Sequence, residues 1–373
     1  MKIAFDDQIF MTQTVGGISR YFVNLANYLT TANAQVDIHA PLYFNEILKT
    51  SRLKSIHGKY VPNYFPMNIL RKDKLSFIAK YVNSRHNNRI LHKKHYDLLH
   101  LTYYSRTYPY HLQIPTIITI HDMIHEKMGQ YYKNNDQTAI IKKWMIQNAQ
   151  KVICISQTTK EDLLKLIPVD PKKISVVYHG ADLITESKAQ EHITSTRPYL
   201  LYVGSRTKYK NFRLLLAALG NSKQFKNNYQ LQCFGGSKFT KDEKKLIDQC
   251  GLNNQKVVHV EGDDHLLRAL YEGAALHIVP SLYEGFGMTV LEALSSKCPV
   301  VASRIPVFQE ICGNSIHYFD PRNENDMREQ IEYLLSQDNY REKLKMTGYK
   351  QSQKFSWTKC ASETLDVYKM ALL

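Results

Sequence analysis

Short apolar runs alternate along this chain with stretches in which apolar side chains return every three or four positions. Runs at residues 2–5, 36–40, 96–101, 116–120, 151–155 and 173–178 predict buried strands. Between them Ile18, Tyr21, Phe22, Leu25, Ala26 and Leu29 recur at helical spacing, residues 137–149 do the same, and Thr158 with Glu161 predicts a capping box for a helix ending at Ile167. The later part alternates more cleanly. Strands are expected at 199–203, 229–234, 257–260, 275–279, 299–302 and 315–319, with helices at 211–219, 242–249, 265–274 and 288–295 and a last helix beginning near Ser356. Such alternation means βαβ units, parallel sheets and right-handed crossovers, an α/β chain. Residues 183–197 are polar and aperiodic and divide it into domains at 1–182 and 198–355, with residues 356–373 as a terminal helix.

The densest local chemistry lies at residues 275–303. A strand runs into Gly285-Phe-Gly287, and Val290, Leu291 and Leu294 then mark a helix. Unpaired N–H groups of Phe286, Gly287, Met288 and Thr289 at the positive end of that helix would make an anion site, with phosphate the obvious guest. Two carboxylates frame it. Glu284 precedes the helix, and Glu292 lies four residues beyond Met288 on the same face, about 6 Å along the axis. A carboxylate accepts from vicinal hydroxyls, so Glu292 suits a ribose diol and Glu284 the hydroxyls of a second sugar; taken alone, the pair reads first as a turn cap and a solvated helix carboxylate. Gly204-Ser-Arg206 ends another strand and Lys210 opens its helix, cations suited to a diphosphate or to a solvated surface. Gly16 and Gly17 close the loop after the first strand, and His121-Asp122 ends the strand at 116–120, where open α/β sheets place ligands.

Pro-Ser-x-x-Glu-Gly-Phe-Gly-x-x-x-Leu-Glu-Ala over residues 280–293 resembles the signature of the retaining glycosyltransferases of family 4, which have the two-domain GT-B fold. The resemblance extends to Tyr202-Val-Gly-Ser-Arg-Thr-Lys-Tyr-Lys-Asn211, Val176-Val-Tyr-His-Gly-Ala-Asp182, Ile120-His-Asp122 and Gly16-Gly17, in order along nearly the whole chain. It implies two Rossmann-like domains facing across a cleft, the first binding acceptor and the second nucleotide sugar, with the C-terminal helix crossing back to the first. It further implies that Arg206 and Lys210 bind the donor diphosphate, that Gly16-Gly17 faces that diphosphate, and that His121 and Glu284 face the transferred sugar. Arg206 departs from the common Gly-Arg pattern by one intervening serine. No DxD or clustered acidic motif suggests a metal, in keeping with the family's usual metal independence, and no cofactor beyond the donor is expected.

Charge adds a membrane expectation. The 373 residues carry a formal net charge of +15, with 24 Lys and Arg against 12 Asp and Glu in residues 1–180 and 25 against 22 thereafter. The segment bounded by Lys49 and Lys94 holds 12 basic residues and one acid, Asp73, among Tyr60, Tyr64, Phe65, Leu70, Phe77, Ile78 and Tyr81. Basic residues among aromatics attract anionic lipid, lipid-linked substrate or nucleic acid alike. The N-terminus lacks the pattern of a signal peptide, no run approaches a membrane span, and the six cysteines have no metal spacing. They read as reduced thiols of a cytoplasmic protein peripheral on the inner membrane face.

The reading that accounts for most residues is a retaining glycosyltransferase that moves a hexose to a growing, lipid-linked glycan in bacterial surface-polysaccharide synthesis. Gly-Gly-Ile-Ser-Arg-Tyr with Ile-His-Asp resembles the mannosyltransferases of that group, making GDP-mannose the first expectation and a UDP-sugar donor the alternative. A nucleotide-sugar epimerase would share the architecture without the paired glutamates. A basic nucleic-acid-binding protein would leave the diphosphate constellation unused.

Overall fold

In the computed structural model, seven strands form one parallel sheet: β1 (Lys2–Phe5), β2 (Gln35–Tyr43), β3 (Ile56–Tyr60), β4 (Leu98–Leu101), β5 (Thr116–Ile120), β6 (Lys151–Cys154) and β7 (Ile174–Val176), in the order β3-β2-β1-β4-β5-β6-β7. Six more form a second: β8 (Tyr199–Val203), β9 (Gln230–Phe234), β10 (Val257–Val260), β11 (Leu276–Val279), β12 (Val300–Ser303) and β13 (His317–Phe319), in the order β10-β9-β8-β11-β12-β13. The structure describes residues 1–62, 69–105, 114–132, 135–181, 197–206 and 208–373, without the side chains of 69–78 and 208. The expected linker at 183–197 lies, but for Arg197, outside these residues.

Each sheet is the centre of its own compact unit. One comprises Met1–Lys127, Tyr132–Gly180 and Trp357–Leu373; the other comprises Met128–Tyr131 and Ala181–Ser356. Strands β4, β11 and β12 are buried at every residue, because helices cover both faces of a parallel sheet. That double coverage explains why strands appear in the sequence as continuous apolar runs. Both sheets reverse direction once, between β1 and β4 in the first and between β8 and β11 in the second. Loops leaving the carboxyl ends of two such adjacent strands diverge and leave a crevice between them.

In the first unit the helix Gly17–Thr31 buries Tyr21, Phe22, Leu25, Ala26 and Leu29, the positions expected from spacing. The terminal helix Trp357–Leu372 belongs to the same unit. Its Tyr368 hydroxyl bonds His100 Nδ1 at 2.6 Å, and His100 Nε2 lies 2.8 Å from Thr119 Oγ1 on β5. Gly180 meets the start of that helix so closely that a Cβ would sit 2.3 Å from the Trp357 backbone nitrogen. In the second unit Leu215, Leu216, Phe225, Leu231, Ile278 and Phe319 pack as one core.

Three features differ from expectation. The helix Gln157–Leu166 is capped by Ser156, whose Oγ accepts from Thr159 N at 3.0 Å, so Thr158 and Glu161 form no capping box; Thr240 and Glu243 form one at the helix Lys241–Gln249. β3 is an edge strand reading Ile-His-Gly-Lys-Tyr, without apolar alternation. The helix Ile69–Lys93 fills much of the basic segment and turns Asn83 and Asn87 inward with Ala79 and Leu91, so its buried face is partly polar and hydrophobic periodicity does not reveal it.

Candidate active site

The reversal in the second sheet brings together the two motifs that carry most of the expected chemistry. Gly204, at φ +118, turns the chain off β8 toward Lys210, while the chain leaving β11 passes through Ser281 and Glu284. Lys210 Nζ lies 2.6 Å from Glu284 Oε1, and Ser281 Oγ donates to the same oxygen at 2.6 Å. Leu282 N donates to Tyr209 O at 2.8 Å and fastens one loop to the other. The ammonium and carboxylate are both largely shielded, 24% and 14% exposed, so this pair is stronger than a surface ion pair and keeps the lysine stem close to the helix that follows.

That helix runs Met288–Ser295 and starts at Gly287, φ +103, with no side-chain cap among the described residues. A Cβ on Gly287 would lie 2.6 Å from Phe308 Cε1, so the left-handed turn and the close ring both require glycine. Phe286 is buried, edge-on to Phe355 at 5.9 Å, and packs rather than reaching solvent. Gly285 is buried; Met288 and Thr289 are half-buried at the first turn. Backbone N–H groups at this uncapped terminus and the Lys210 ammonium together offer positive potential on the second unit.

Glu292 is 8% exposed and accepts from the Tyr271 hydroxyl at 3.2 Å, so it is not the solvated helix carboxylate of the bland alternative. Arg206 bonds a different set of groups. Its Nε bonds Glu243 Oε1 at 2.6 Å, Nη1 bonds Gly235 O at 3.3 Å, Nη2 bonds Ser237 O, and the guanidinium lies 4.8 Å from the Phe239 ring centroid. With its side chain 4% exposed, this arginine braces the 235–239 turn.

On the first unit, His121 follows β5 and is 7% exposed. Its ring lies edge-on to Tyr21 at 5.1 Å and stacks with His179 at 5.8 Å, and Nε2 is buried with no hydrogen-bond partner among the described residues. Burial above all, then the neighbouring His100 and Lys142, pulls its pKa down to about 3, so the ring is neutral at physiological pH. Gly16 precedes the helix Gly17–Thr31 in extended backbone, φ −179, and a Cβ there would meet only the end of the Gln13 side chain; Gly17 has open space around it. Neither glycine is demanded by backbone strain.

Several partners have no sequence signal. Lys142 is fully buried, its Nζ donating to Asp122 O at 3.0 Å and Glu126 Oε2 at 2.9 Å directly behind the His121-Asp122 turn. A lysine on an amphipathic helix reads as solvated until the packing is known. Tyr271 and Glu243 are likewise recognised only through the residues they hold. Asp6 and Asp7 had a positional signal, since they end the first strand.

Comparison with known proteins decides the family. Residues 15–184 match the description Glycosyltransferase Family 4, and residues 184–351 match Glycosyl transferases group 1. The chain is a family 4 glycosyltransferase. It is 25% identical over 395 residues to the O-antigen chain mannosyltransferase B of Escherichia coli, covering 97% of this chain and 99% of the relative. Sucrose-phosphate synthase from Thermosynechococcus elongatus shares the fold of the glycosyltransferase at TM-score 0.78 with 20% identity, covering 99% and 98% of the two chains. Anabaena Alr3699/HepE, solved in complex with UDP and glucose, shares it at TM-score 0.72 with 19% identity and 98% coverage of both. The two parallel α/β units of this enzyme are therefore those of the GT-B fold. Among the described residues of the glycosyltransferase no helix is long and apolar enough to cross a membrane, and all six cysteines are free.

Proposed function

We propose that the enzyme transfers a hexose, mannose from GDP-mannose in the first instance, to a lipid-linked glycan with retention of anomeric configuration. The observation that carries the reading is the Lys210–Glu284 pair beside the uncapped helix Met288–Ser295. On this proposal the diphosphate takes the Lys210 ammonium and the N–H groups from Phe286 to Thr289, which stabilise charge on the departing oxygens without a metal. Glu284 then exchanges its lysine for hydroxyls of the transferred sugar, and Glu292, steadied by Tyr271, holds the ribose diol. Arg206 supports the neighbouring turn and contributes no phosphate contact. As the bond from C1 to the phosphate oxygen breaks, its electron pair stays with the diphosphate; the acceptor oxygen bonds C1 on the same face and its proton passes to the departing oxygen. His121 contributes a neutral hydrogen-bonding ring to the reacting centre and no proton.

The mannosyl donor is supported by the full-length similarity to an O-antigen chain mannosyltransferase; a UDP-sugar is the alternative, since the similar HepE fold was solved with UDP and glucose. Membrane docking is supported by the outer face of the helix Ile69–Lys93, where Tyr81, Val82, Arg85, Arg89 and Lys93 are exposed together. Tyr64 and Phe65, and the side chains of Leu70, Arg71, Lys72, Lys74, Phe77 and Ile78, lie outside the described residues. A panel of GDP- and UDP-sugars tests the donor by thermal stabilisation, because a ligand bound only to the folded state at 100 times its Kd adds about 2.7 kcal/mol. GDP-mannose should raise the melting temperature most; no shift with any nucleotide sugar or nucleoside diphosphate would overturn the reading.

A further inference from the structure

The edge of the first sheet gathers three groups that have no part in the transfer chemistry. Asp37 and His39 stand two residues apart on β2 and so share one face of it, and the register pairs His39 with His57 on β3, which brings the second imidazole to that face. One ligand atom from each of the three lies within 4.8 Å of the others, and among the described residues no other three histidine, cysteine or acidic side chains meet in this way.

β3 is a strand in need of a clip. None of its five residues is buried, and its pairing with β2 breaks register between His39 and Leu42. Gly58 lets the two backbones approach there, since a Cβ would lie 1.6 Å from Ala40 O. An edge strand that removes so little apolar surface from water depends on its ladder, on Tyr60 against Tyr43, and on His57, whose Nε2 lies 3.0 Å from Asp37 Oδ1.

Tyr96 orients the two β2 ligands. Its hydroxyl gives its one proton to Asp37 Oδ2 at 2.7 Å, so His39 Nε2, 2.6 Å from the same hydroxyl oxygen, is the donor in that second bond. The neutral His39 ring then carries its lone pair on Nδ1, which is buried with no hydrogen-bond partner among the described residues. The residue is 2% exposed, so this bare nitrogen is a cost to the fold unless an electron-pair acceptor reaches it. A metal ion is such an acceptor. An imidazole whose other nitrogen donates a hydrogen bond, beside a carboxylate that is itself hydrogen-bonded, is how metal sites hold their ligands in orientation.

Access and ligand type narrow the ion. The His57 side chain is 40% exposed and its ring stacks on His39 at 4.9 Å, so it is the ligand with room to turn. A tetrahedral ion with bonds of about 2.0 to 2.2 Å sets its ligand atoms about 3.3 to 3.6 Å apart, a modest closure of the present cluster. Two imidazoles and one carboxylate, with water in the fourth place, suit zinc, cobalt or nickel, whereas magnesium and calcium take oxygen ligands. The charge of Lys94 acts on Asp37 and further disfavours an ion held by charge alone.

We propose that Asp37, His39 and His57 bind one divalent transition-metal ion, zinc in the first instance, which clips β3 to β2 and takes no part in transfer. The test uses untagged full-length enzyme, stripped with EDTA and dialysed, then titrated with zinc by calorimetry and with cobalt by visible absorption. One ion per chain should bind in the micromolar range or below, the cobalt form showing the d–d bands of a four-coordinate site. His57→Ala and Asp37→Asn should each lose at least tenfold in zinc affinity, and Tyr96→Phe about tenfold. Millimolar magnesium should not displace the ion. Zinc should slow amide exchange of residues 56–60 in the parent and not in His57→Ala; Asp37→Asn carries both comparisons if His57→Ala does not fold. Transfer should run equally with and without one equivalent of zinc. No binding, zinc affinity unchanged in the variants, displacement by magnesium, or zinc-independent exchange of residues 56–60 would each overturn the proposal. A transfer rate that falls when zinc is removed would overturn the structural role assigned to it.

Discussion

The two sheet reversals solve the same geometric problem with opposite chemistry. After β8 and β11 the loops present an ammonium and an uncapped helix terminus, cationic groups suited to phosphate. After β1 and β4 they carry Asp6 and Asp7, two carboxyl groups beside a cavity of about 310 Å³. The second-unit site joins two loops 74 residues apart, at Lys210 and Glu284, with backbone and helix dipole supplying much of the field. The first-unit cavity is assembled from segments as distant as Asp7 and Asn87, and its character comes from side chains alone. Both pairings are made by packing, and only the glycine turn and the helix that follows it in the second unit can be written as a motif.

The largest expected effect breaks the cationic half of this comparison. Lys210→Ala should lower kcat by roughly 10² to 10³, the usual cost of removing a donor that stabilises developing charge, with a small change in melting temperature. A loss below about threefold in steady-state kinetics would remove Lys210 from the diphosphate site. Gly287→Val tests whether that site depends on backbone shape. A β-branched residue at φ +103, with Cβ 2.6 Å from Phe308, should cost about 2 to 4 kcal/mol in chemical denaturation. Glu292→Ala should weaken nucleoside diphosphate binding about tenfold by calorimetry. Because Glu292 is buried against Tyr271, it should also lower apo stability by about 1 kcal/mol, which a solvated carboxylate would not.

The acidic half is sharpened by pH. The folded Asp6 carboxyl titrates near 7 against an ordinary value of 3.8, so between those values the folded state binds more protons than the unfolded and stability falls as pH rises. Asp6→Asn removes that term. Relative to the variant, the parent should lose on the order of 1 kcal/mol per pH unit from pH 4.5 to 7, levelling off above. Parallel stability curves would mean that Asp6 is ionised in the fold. Smallest of all is the expected response to EDTA, which should leave transfer unchanged; activity silenced by EDTA and restored by magnesium or manganese would refute a purely cationic site.

Most of the second unit was legible because its chemistry is local. The apolar runs of β8, β11 and β12 and the glycines at 285 and 287 lie where a single stretch of chain meets both its sheet and its turn. Glu284 and Lys210 were placed by their motifs, yet their direct pairing came from the adjacency of β8 and β11, which nothing in either motif states. Arg206 was placed in the same way. Its position after β8 suggested phosphate, and its contacts with Glu243 and the Phe239 ring came from the fold.

The sequence by itself determined the alternation of strands and helices, the glycine turns and the family, because these depend on residues within one or two elements of each other. Only the tertiary structure decided which polar residues are buried and what they face. Asn83 and Asn87 lie in the basic segment and Lys142 on a helix, and no apolar spacing or motif marks any of them as buried. Each is buried because a partner from a distant segment compensates the loss of water, Asp7 for the asparagines and Glu126 with the Asp122 carbonyl for the lysine. Hydrophobic patterning registers the removal of apolar surface from water residue by residue. The burial of a polar group is favourable only as a pair, and the second member of the pair is supplied by the fold.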